Sequence, residues 1–552
     1  MRPAAGPSPR PRFRKVAFHA APRPAWTAPR RDANLVRHSL GAVPRSGAPA
    51  LPSTAYRQNQ HDDFERRVFD VAIIGGGISG VSLYHQLCRR GLSVVLLERS
   101  DFASGSSQAS AMMIWGGLLY LRHAEFRAVR RLCSARERLL ADLNQSVMAR
   151  PFYLLPPGGS AGRLAVQAAL YAYWLMGGCR RSRPRRLRTF ADQALLDGRC
   201  GRTALVYEEA CLRDSDARFV LEWMLPHQNG RQLALNYCGV SGGRWQPATR
   251  RWRLDLTDAI LSRRAQVEAR AVVNAAGVWT DHVDELFARS TPWRHILSKG
   301  VFIAFPRLPH HESTLMLPTR GGNYMTLMPW GPVSLWGPTE TEVDTPEAGF
   351  RVRAADVRLL LDELNAHLAS PLAARDIVSL RCGVRPLAIG RDQRPPRRAL
   401  DLSRDYRIYV DPSASWVSVY GGKLTSAATL AADAAGRVAR LLGEAQRPAS
   451  RPSFEASQPR RAPFPNLDEA IPSAEWCAEF ELCWNIEDYL RRRTNVSQWV
   501  ARGGLGRRGE HHEHLVDVAA AFTDGDRAAA AEQVAGYRCK VESTFDRVLS
   551  AC

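Results

Sequence analysis

An apolar run, a glycine-rich turn and a helical pattern follow one another between Val68 and Glu98. The run Val68–Ile74 is short, rich in β-branched residues and followed by glycine, which is typical of a strand buried on both faces. Apolar residues then recur at helical spacing, Gly91 falls where a helix ends, and a second apolar run covers Leu92–Leu97. The pattern predicts a strand, a helix and a parallel strand in succession.

Further elements are predicted near the carboxyl end of the chain. A strand at 416–420 leads into a Gly-Gly-Lys turn and an alanine-rich helix that opens near Thr425. Helical spacing returns at Ser473–Cys483, Ile486–Thr494 and Ala528–Leu549. The sequence therefore predicts an α/β (α+β) protein that ends in a small helical domain.

Four segments follow from these patterns. Residues 1–65 carry ten prolines and many arginines without apolar periodicity, so we expect a disordered basic extension. Residues 66–442 hold the predicted strands, and residues 443–470 form a linker rich in Pro, Arg and Ser. Residues 471–552 form the C-terminal helical domain.

The turn after the first strand has the spacing of a dinucleotide-binding loop. Gly75, Gly77 and Gly80 are arranged as GxGxxG, and Glu98 follows the last of them by 18 residues, at the tip of the second strand. Such glycines allow a tight turn and close approach of a pyrophosphate, the helix N-terminus attracts its charge, and the acid accepts the ribose hydroxyls. The flanking elements make this pattern more specific than the glycines alone.

Composition and charge narrow the class of protein. The chain has 552 residues and a net charge of +22, and residues 1–60 hold 11 basic residues against one acidic residue. That tail is either a solvated extension, an upstream start assigned by mistake, or an organellar targeting segment. The sequence has no helix-turn-helix, zinc-finger or RRM pattern, so we expect no nucleic acid partner.

The sequence also bears on location and metals. No apolar run is long enough for a transmembrane helix, and the 11 cysteines are scattered, so we expect a reduced, cytoplasmic setting. Three histidines, His511, His512 and His514, match no zinc template and are predicted to lie in a solvated loop. We expect no bound metal.

The order of the motifs resembles that of a known family. After Glu98 the chain reads ASGSSQASAMMIWGGLLYLRHAEF, and the motifs DAR (216–218), VVNAAGVW (272–279), KG (299–300), CGVRPL (382–387) and YGGKLTS (420–426) follow in order. Over roughly residues 68–440 this series resembles the respiratory FAD-dependent glycerol-3-phosphate dehydrogenases, within the D-amino-acid-oxidase-like flavoprotein superfamily. The resemblance implies a Rossmann-like FAD-binding domain with an interleaved mixed-sheet substrate domain.

The resemblance also implies which residues bind FAD. They are the glycine loop, the acid, the serines after it and the two later strand ends: Gly75, Gly77, Ile78, Gly80, Glu98, Ser106, Ser107, Ala276, Gly277, Gly422, Lys423, Leu424 and Thr425. A helix that begins near Thr425 directs its positive end at the turn before it. This dipole and the Lys423 ammonium would stabilise the negative charge of reduced flavin.

Three residues are the catalytic candidates. Arg385 can grip an anionic substrate through its planar set of donors, although an arginine after a strand is otherwise often a salt-bridge partner. Lys423 would polarise the flavin edge or help to hold the anion, and Tyr120 can donate a hydrogen bond. Oxidation of an alcohol also requires that the hydroxyl proton be removed.

The chain departs from the family in one block. Glycerol-3-phosphate dehydrogenases usually carry KLIHGGLRYLE where this chain has MMIWGGLLYLR, so Met112, Trp115 and Leu119 replace Lys, His and Arg. A milder change is Pro338-Thr339-Glu340 in place of a Thr-Thr-Asp turn. Replacing two cations and an imidazole by apolar groups on one wall would weaken binding of a doubly charged phosphate.

These observations predict an FAD-dependent oxidoreductase that oxidises a small polar alcohol and passes the electrons to a quinone or another acceptor. The substrate need not be glycerol 3-phosphate. Two alternatives remain: an amine or amino-acid oxidase of the same superfamily, or a flavin-binding protein that has lost turnover.

Membrane contact is a further expectation. An apolar stretch at 164–176 is followed by six arginines between Arg180 and Arg188. The segment Leu164–Arg188 either lies on the inner face of an anionic membrane or is a buried helix that ends in a solvated basic loop. The resemblance to a peripheral membrane family favours contact.

Overall fold

The structure is a computed structural model that describes residues 57–58, 61, 64–157, 160–198, 203–227, 231–394, 402, 404–443 and 459–552. These residues belong to one compact unit. Most of the predicted extension, 1–65, and much of the predicted linker, 443–470, lie outside the described residues.

The chain alternates between strands that belong to two large sheets. In chain order the strands are β1 Val68–Ile74, β2 Val94–Leu97, β3 Met113–Ile114, β4 Val147–Leu154, β5 Arg185–Leu187, β6 Ala204–Leu212, β7 Gln232–Leu235, β8 Cys238–Gln246, β9 Arg251–Asp258, β10 Arg263–Asn274, β11 Trp293–Pro306, β12 Thr314–Pro318, β13 Tyr324–Trp330, β14 Val333–Gly337, β15 Thr341–Val343, β16 Ser379–Gly390, β17 Arg407–Asp411, β18 Trp416–Tyr420, β19 Arg461–Ala462 and β20 Ile471–Pro472.

The helices cover the two sheets and form the carboxyl end of the chain. They are α1 Ile78–Arg89, α2 Phe126–Asp142, α3 Ser160–Met176, α4 Asp216–Met224, α5 Thr280–Leu286, α6 Pro346–Gly349, α7 Ala354–Asn365, α8 Ala427–Leu442, α9 Ala474–Phe480, α10 Ile486–Asp488, α11 Val496–Trp499, α12 His512–Ala519, α13 Arg527–Val541 and α14 Arg547–Ser550.

The first sheet is the dinucleotide-binding core. Its strands run in the order β17-β18-β10-β1-β2-β7, and the hairpin β8-β9 pairs with the start of β10. Strand β1 is parallel to both β10 and β2, and β10 is parallel to β18. The carboxyl ends of these strands therefore meet at one edge, where ligands of open parallel sheets bind.

The second sheet has ten strands, in the order β15-β11-β14-β13-β12-β4-β6-β3, with β16 on β11 and β5 on β6. The long antiparallel pair β11-β16 places Ser298 opposite Arg385. The two sheets are interleaved along the chain, because β3–β6 and β11–β16 are insertions between strands of the first sheet. The predicted architecture, a Rossmann-like domain with an interleaved mixed-sheet domain and C-terminal helices, is confirmed.

The helices after β20 have an apolar core of their own. Leu490, Leu505 and Leu515 are fully buried there, together with Phe464. Because Phe464 packs into this core, the last part of the predicted linker belongs to the helical domain.

Two expectations about polar segments need correction. His511 is buried and His512 begins α12, so the three histidines do not lie in a solvated loop. His511 Nδ1 lies 2.9 Å from the Gly504 carbonyl oxygen, and this contact holds the ring in its buried position. Arg57 and His61 are buried on Asp258, so this end of the segment 1–65 packs on the sheet.

Of the helices that the structure describes, none is both long enough and apolar enough to cross a membrane. Helix α3 is the apolar stretch predicted at 164–176, and one side of it is buried through Leu170 and Tyr173. Its other side is exposed: 67% of Leu164 and 61% of Leu175 are accessible to solvent. Helix α3 therefore carries apolar residues on both its buried and its exposed side.

Candidate functional site

The glycine loop joins β1 to α1 with close backbone packing. Gly75 has φ +110°, and a Cβ there would lie 2.6 Å from the carbonyl oxygen of Ala275. A Cβ on Gly80 would lie 1.9 Å from the Gly75 carbonyl oxygen. Neither position accepts a side chain, because the helix passes directly over the strand ends. The loop thus has the backbone geometry that a dinucleotide fingerprint requires.

Gly77 and Ile78 form the N-terminal end of α1 and border the cavity. A Cβ on Gly77 would meet only Ser107 Oγ, at 3.1 Å. The Ile78 amide donates to the same Ser107 Oγ over 2.9 Å, and the Ser106 hydroxyl donates to the carbonyl of Val384 on β16. The serine loop is thereby fixed against both the helix end and the second sheet.

Glu98 stands at the carboxyl end of β2, as predicted. Its carboxylate accepts from the Gly76 amide at 2.7 Å and from the Ser100 amide at 2.9 Å. Burial raises the pKa of Glu98, and these two amide hydrogen bonds oppose that rise. Each oxygen retains acceptor capacity for ribose hydroxyls beyond the bond that it already accepts.

The two later strands deliver their loops to the same edge. Ala276 and Gly277 follow β10, and the Gly-Gly-Lys turn follows β18. The Thr425 hydroxyl donates to the carbonyl of Trp115 over 3.1 Å, so the start of α8 holds the loop that carries Trp115. Leu424 lies in the single 3₁₀ turn that precedes α8.

Lys423 and Tyr120 form a pair beside this turn. Lys423 Nζ donates to Tyr120 Oη over 2.9 Å and lies 4.4 Å from the centroid of the tyrosine ring. The cation is therefore held by both the hydroxyl and the ring face.

Arg385 lies on β16, across from Ser298 on β11. Its Nη1 is 3.4 Å from Ser298 Oγ, and its guanidinium lies over Gly300, where a Cβ would come within 2.5 Å of Nη2. Burial, followed by repulsion from Arg404, lowers the pKa of Arg385 to about 10. Among the described residues Arg385 makes no ion pair with a carboxylate, so its positive charge favours an incoming anion.

Arg404 was not anticipated from the sequence. It approaches Arg385 from the loop before β17 and pairs with both oxygens of Glu340, at 2.7 and 2.9 Å. This ion pair joins the Pro-Thr-Glu turn, which contains Glu340, to the loop before β17. No spacing in the sequence signals this pairing, because 64 residues separate the two.

One cavity of about 1110 Å³ connects these groups. The glycine loop, Glu98 and the Gly-Gly-Lys turn line it together with Arg385, Arg404 and Tyr120. All the predicted cofactor-binding residues except Gly80 face it, and Gly80 lies beneath the loop.

The wall that carries the family departures differs from the expectation. Trp115 and Leu119 line the cavity, but Met112 is 1% exposed and packs in the hydrophobic core. Met112 has φ +54°, its amide is held by Ser110 Oγ, and Met113 borders the cavity instead. The expectation that Met112 forms part of this wall is wrong, and the departure reduces to two positions.

A buried charged network supports this wall from behind. The Gly116 amide donates to Glu209 Oε2 over 3.2 Å, and Arg136 Nη1 donates to the same oxygen over 2.8 Å. Tyr173 on α3 donates to the other oxygen of Glu209. The loop after Trp115 is therefore anchored by a carboxylate that is fully buried.

The donor set fits an adenine dinucleotide that carries a flavin. The site combines glycine backbone that admits no Cβ, a helix N-terminus, a carboxylate for ribose and, further along the same cavity, a lysine and an arginine. Such a cavity has room for a long ligand and places cations beside it.

Comparison with known proteins indicates the same cofactor as the cavity does. The family model described as FAD dependent oxidoreductase matches residues 70–433. The chain is 31% identical over 372 residues to a glycerol-3-phosphate dehydrogenase of Pseudomonas aeruginosa, which covers 66% of this chain and 71% of that protein. It is 30% identical to glycerol-3-phosphate dehydrogenase 2 of Mycobacterium tuberculosis, where the match covers 66% of this chain but only 62% of the relative.

Solved structures show the same fold. The glycerol-3-phosphate dehydrogenase of Bacillus halodurans complexed with FAD has a TM-score of 0.65 at 19% identity, covering 89% of this chain and 97% of that one. The L-α-glycerophosphate oxidase of Mycoplasma pneumoniae with FAD bound has a TM-score of 0.53 at 16% identity, covering 70% of this chain and 97% of that one.

Proposed function

Because the chain belongs to the family of FAD-dependent oxidoreductases, we propose that it oxidises a small polar alcohol and passes the electrons to a quinone or another acceptor. FAD is the cofactor of this family. The observation that carries the proposal is the shared cavity, in which Arg385, Lys423 and Tyr120 border the same space as the glycine loop.

When bound, FAD accepts a hydride, which is one proton with two electrons, from the substrate carbon. Gly75, Gly77 and the N-terminal end of α1 would hold its pyrophosphate, Glu98 its ribose, and the Gly-Gly-Lys turn its flavin portion. The chain then has to hold the substrate still beside the cofactor and direct its hydroxyl.

Arg385 is the residue that holds the substrate. Its guanidinium is partly buried, carries no carboxylate partner among the described residues, and faces the cavity. A carboxylate or similar single anion accepts two parallel hydrogen bonds from such a fork. Tyr120 Oη accepts a hydrogen bond from Lys423 and borders the cavity, so its remaining hydrogen-bonding capacity orients the substrate hydroxyl. The proton that this hydroxyl loses on oxidation passes to solvent.

The wall at Trp115 and Leu119 limits the charge of the substrate. Both side chains are apolar or aromatic and line the cavity, at the two positions where the motif of the family that this chain resembles has His and Arg. Arg404 cannot replace them fully, because it is already paired with Glu340. We therefore propose a substrate that carries less charge than a phosphate monoester.

Anaerobic reduction of the bound flavin tests this proposal. The purified protein is mixed with polyol phosphates, hydroxy acids and amines in separate cuvettes, and bleaching of the flavin is followed. We expect hydroxy compounds with one negative charge to bleach it faster than glycerol 3-phosphate. Bleaching by amines with release of hydrogen peroxide in air would assign the amine oxidase alternative, and no bleaching by any class would assign a protein without turnover.

We also infer that the chain contacts an anionic membrane surface from the cytoplasmic side through 164–188. The exposed side of α3 carries Leu164 and Leu175, and neighbouring α2 adds Phe126, which is 56% exposed. Five of the six arginines that follow α3 are exposed, so cations border the apolar side chains. Apolar insertion beside a basic cluster is how peripheral proteins bind anionic lipids.

A further inference from the structure

Three consecutive arginines of the C-terminal domain approach the cofactor cavity. They end a π-helical turn, Tyr489–Arg493, that directly continues α10. Arg492 and Arg493 are buried, with side chains that are 4% and 0% exposed. Single π turns inside helices are rare and frequently mark functional sites.

Arg493 and Arg492 hold the loop that follows Glu98. Arg493 grips both oxygens of Asp101, at 2.7 and 2.9 Å, and Arg492 Nε donates to the same carboxylate. Although burial opposes ionisation, the two guanidinium groups hold the pKa of Asp101 below its usual range. Asp101 is only three residues beyond Glu98, so this ion pair fixes the backbone that presents the ribose-binding acid.

Arg491 and Arg492 also hold the serine loop. Arg491 Nη2 donates to the carbonyl of Gln108, and Arg492 Nη1 lies 3.3 Å from the Gln108 side-chain oxygen. Gln108 directly follows Ser107, which accepts the Ile78 amide at the N-terminal end of α1. The arginine triplet therefore reaches both loops that border the dinucleotide.

The same part of the C-terminal domain touches the edge of the sheet. Asp488 accepts from Tyr237, just after β7, at 2.6 Å and from Arg492 at 2.6 Å. Glu487 and Lys540 pair with each other and line the cavity that holds Glu98. The C-terminal domain is thus part of the wall of the cofactor cavity.

We infer that Arg491, Arg492 and Arg493 are positioning residues for FAD, which they align through the Asp101 and Gln108 loops. The inference requires only that the chain binds FAD, and it holds for any substrate. Since coupling between two sites is reciprocal, bound FAD also stabilises the docked C-terminal domain.

Arg491→Met tests the inference most directly. Among the described residues, the hydrogen bonds of Arg491 go only to the Gln108 carbonyl, and it has no salt bridge. Removing this guanidinium leaves no buried carboxylate unpaired, so the fold should survive. Titration of full-length apoprotein with FAD, followed by flavin fluorescence, should give a Kd at least 10-fold higher than that of the wild type.

Two further variants and a second readout complete the test. Arg491→Lys should retain near wild-type affinity because it still donates to the carbonyl, and Arg527→Met, at an exposed ion pair in the same domain, is the matched control. The rise in Tm on adding FAD should shrink in Arg491→Met while the Tm of the apoprotein stays unchanged.

An unchanged Kd in Arg491→Met would overturn the inference. Equal losses of Tm with and without FAD would also overturn it, because they indicate a structural role alone. Failure of the wild-type apoprotein to bind FAD would instead refute the cofactor assignment, so the two failures are distinguishable.

Discussion

At the scale of single residues, the glycine loop is the part of the site where side-chain size matters most. Gly77 lies where the cavity meets the N-terminal end of α1, and a Cβ there would meet only Ser107 Oγ. A Cβ at Gly77 requires only a small shift of the Ser107 side chain, so a larger side chain would compete mainly with the ligand and not with the fold.

Gly77→Val should therefore abolish retention of FAD while the protein remains folded. The branched side chain would occupy the space of the pyrophosphate beside the helix end. The absorption spectrum of the purified variant, compared with its circular dichroism, provides the measurement. A yellow Gly77→Val protein would mean that the pyrophosphate lies elsewhere.

Arg385→Met should lower kcat/KM on the substrate that the bleaching assay identifies, by the equivalent of about 2–4 kcal/mol. The partly buried guanidinium is replaced by an apolar side chain, so the anion loses its hydrogen bonds. Arg251→Met, at a half-exposed ion pair remote from the cavity, is the matched control. Equal kinetics in the two variants would remove Arg385 from the substrate site.

Trp115→His combined with Leu119→Arg should increase turnover of glycerol 3-phosphate, because it restores a cation and an imidazole to the cavity wall. Met112→Lys serves as the contrasting variant: its side chain points into the core, so it should destabilise the protein and give no gain. Steady-state kinetics and thermal unfolding distinguish the two effects. No gain in the double variant would mean that other residues determine the charge of the substrate.

Residue positions could be predicted where they depend on the local backbone. The glycines and Glu98 have the predicted positions because their spacing along one strand-helix-strand unit fixes them, and the serines could be placed from the family resemblance. That these residues bind FAD stays a prediction. The position of Met112 could not be predicted, since a positive φ turns its side chain into the core. Arg404 and the arginine triplet were missed because their partners, Glu340 and Asp101, are distant in sequence.

At the scale of elements, the apolar pattern predicted β1 at its observed bounds, Val68–Ile74. It predicted the end of α1 to within one residue, because the C-cap is Arg90 and not Gly91. These elements are local and strongly periodic, so a single sequence suffices. The pairing of β11 with β16 and the place of the C-terminal helices depend on long-range contacts, which the pattern does not carry. The sequence predicted an apolar stretch where α3 lies. It did not predict that apolar residues would lie on both the buried and the exposed side of this helix.

The exposed side of α3 should confer binding to vesicles that contain anionic lipids. Leu164→Ser with Leu175→Ser should weaken cosedimentation with such vesicles about 10-fold or more, since two large apolar groups no longer insert. Phe480→Ser, at a 43% exposed apolar residue of α9, is the matched control. Equal sedimentation of both variants, or equal binding to zwitterionic vesicles, would contradict membrane contact through α3.

At the scale of the whole molecule, the proposed FAD site draws on three parts of the described chain. The first sheet supplies the loops that would hold FAD, the second supplies Arg385 beside them, and the C-terminal domain supplies the arginine triplet that holds two of these loops. A ligand that joins three layers should strongly stabilise the native state, because it binds no unfolded chain.

The isolated protein should accordingly be yellow, and removal of FAD should lower its Tm by several degrees. Absorption spectroscopy and thermal unfolding with and without added FAD provide the measurements, with riboflavin as the control ligand that lacks the adenosine portion. A colourless, fully folded protein that gains no stability from FAD would contradict the cofactor assignment.

The interleaving of the two sheets also has a consequence during synthesis. Strand β1 pairs with β10, which is synthesised about 200 residues later, and β10 pairs with β18. The central sheet can therefore form completely only after residue 420 has left the ribosome. Until then the nascent chain exposes apolar strand edges over most of its length. The supply of chaperones and a slow rate of translation should therefore determine the yield of folded protein more strongly than the stability of the folded state does.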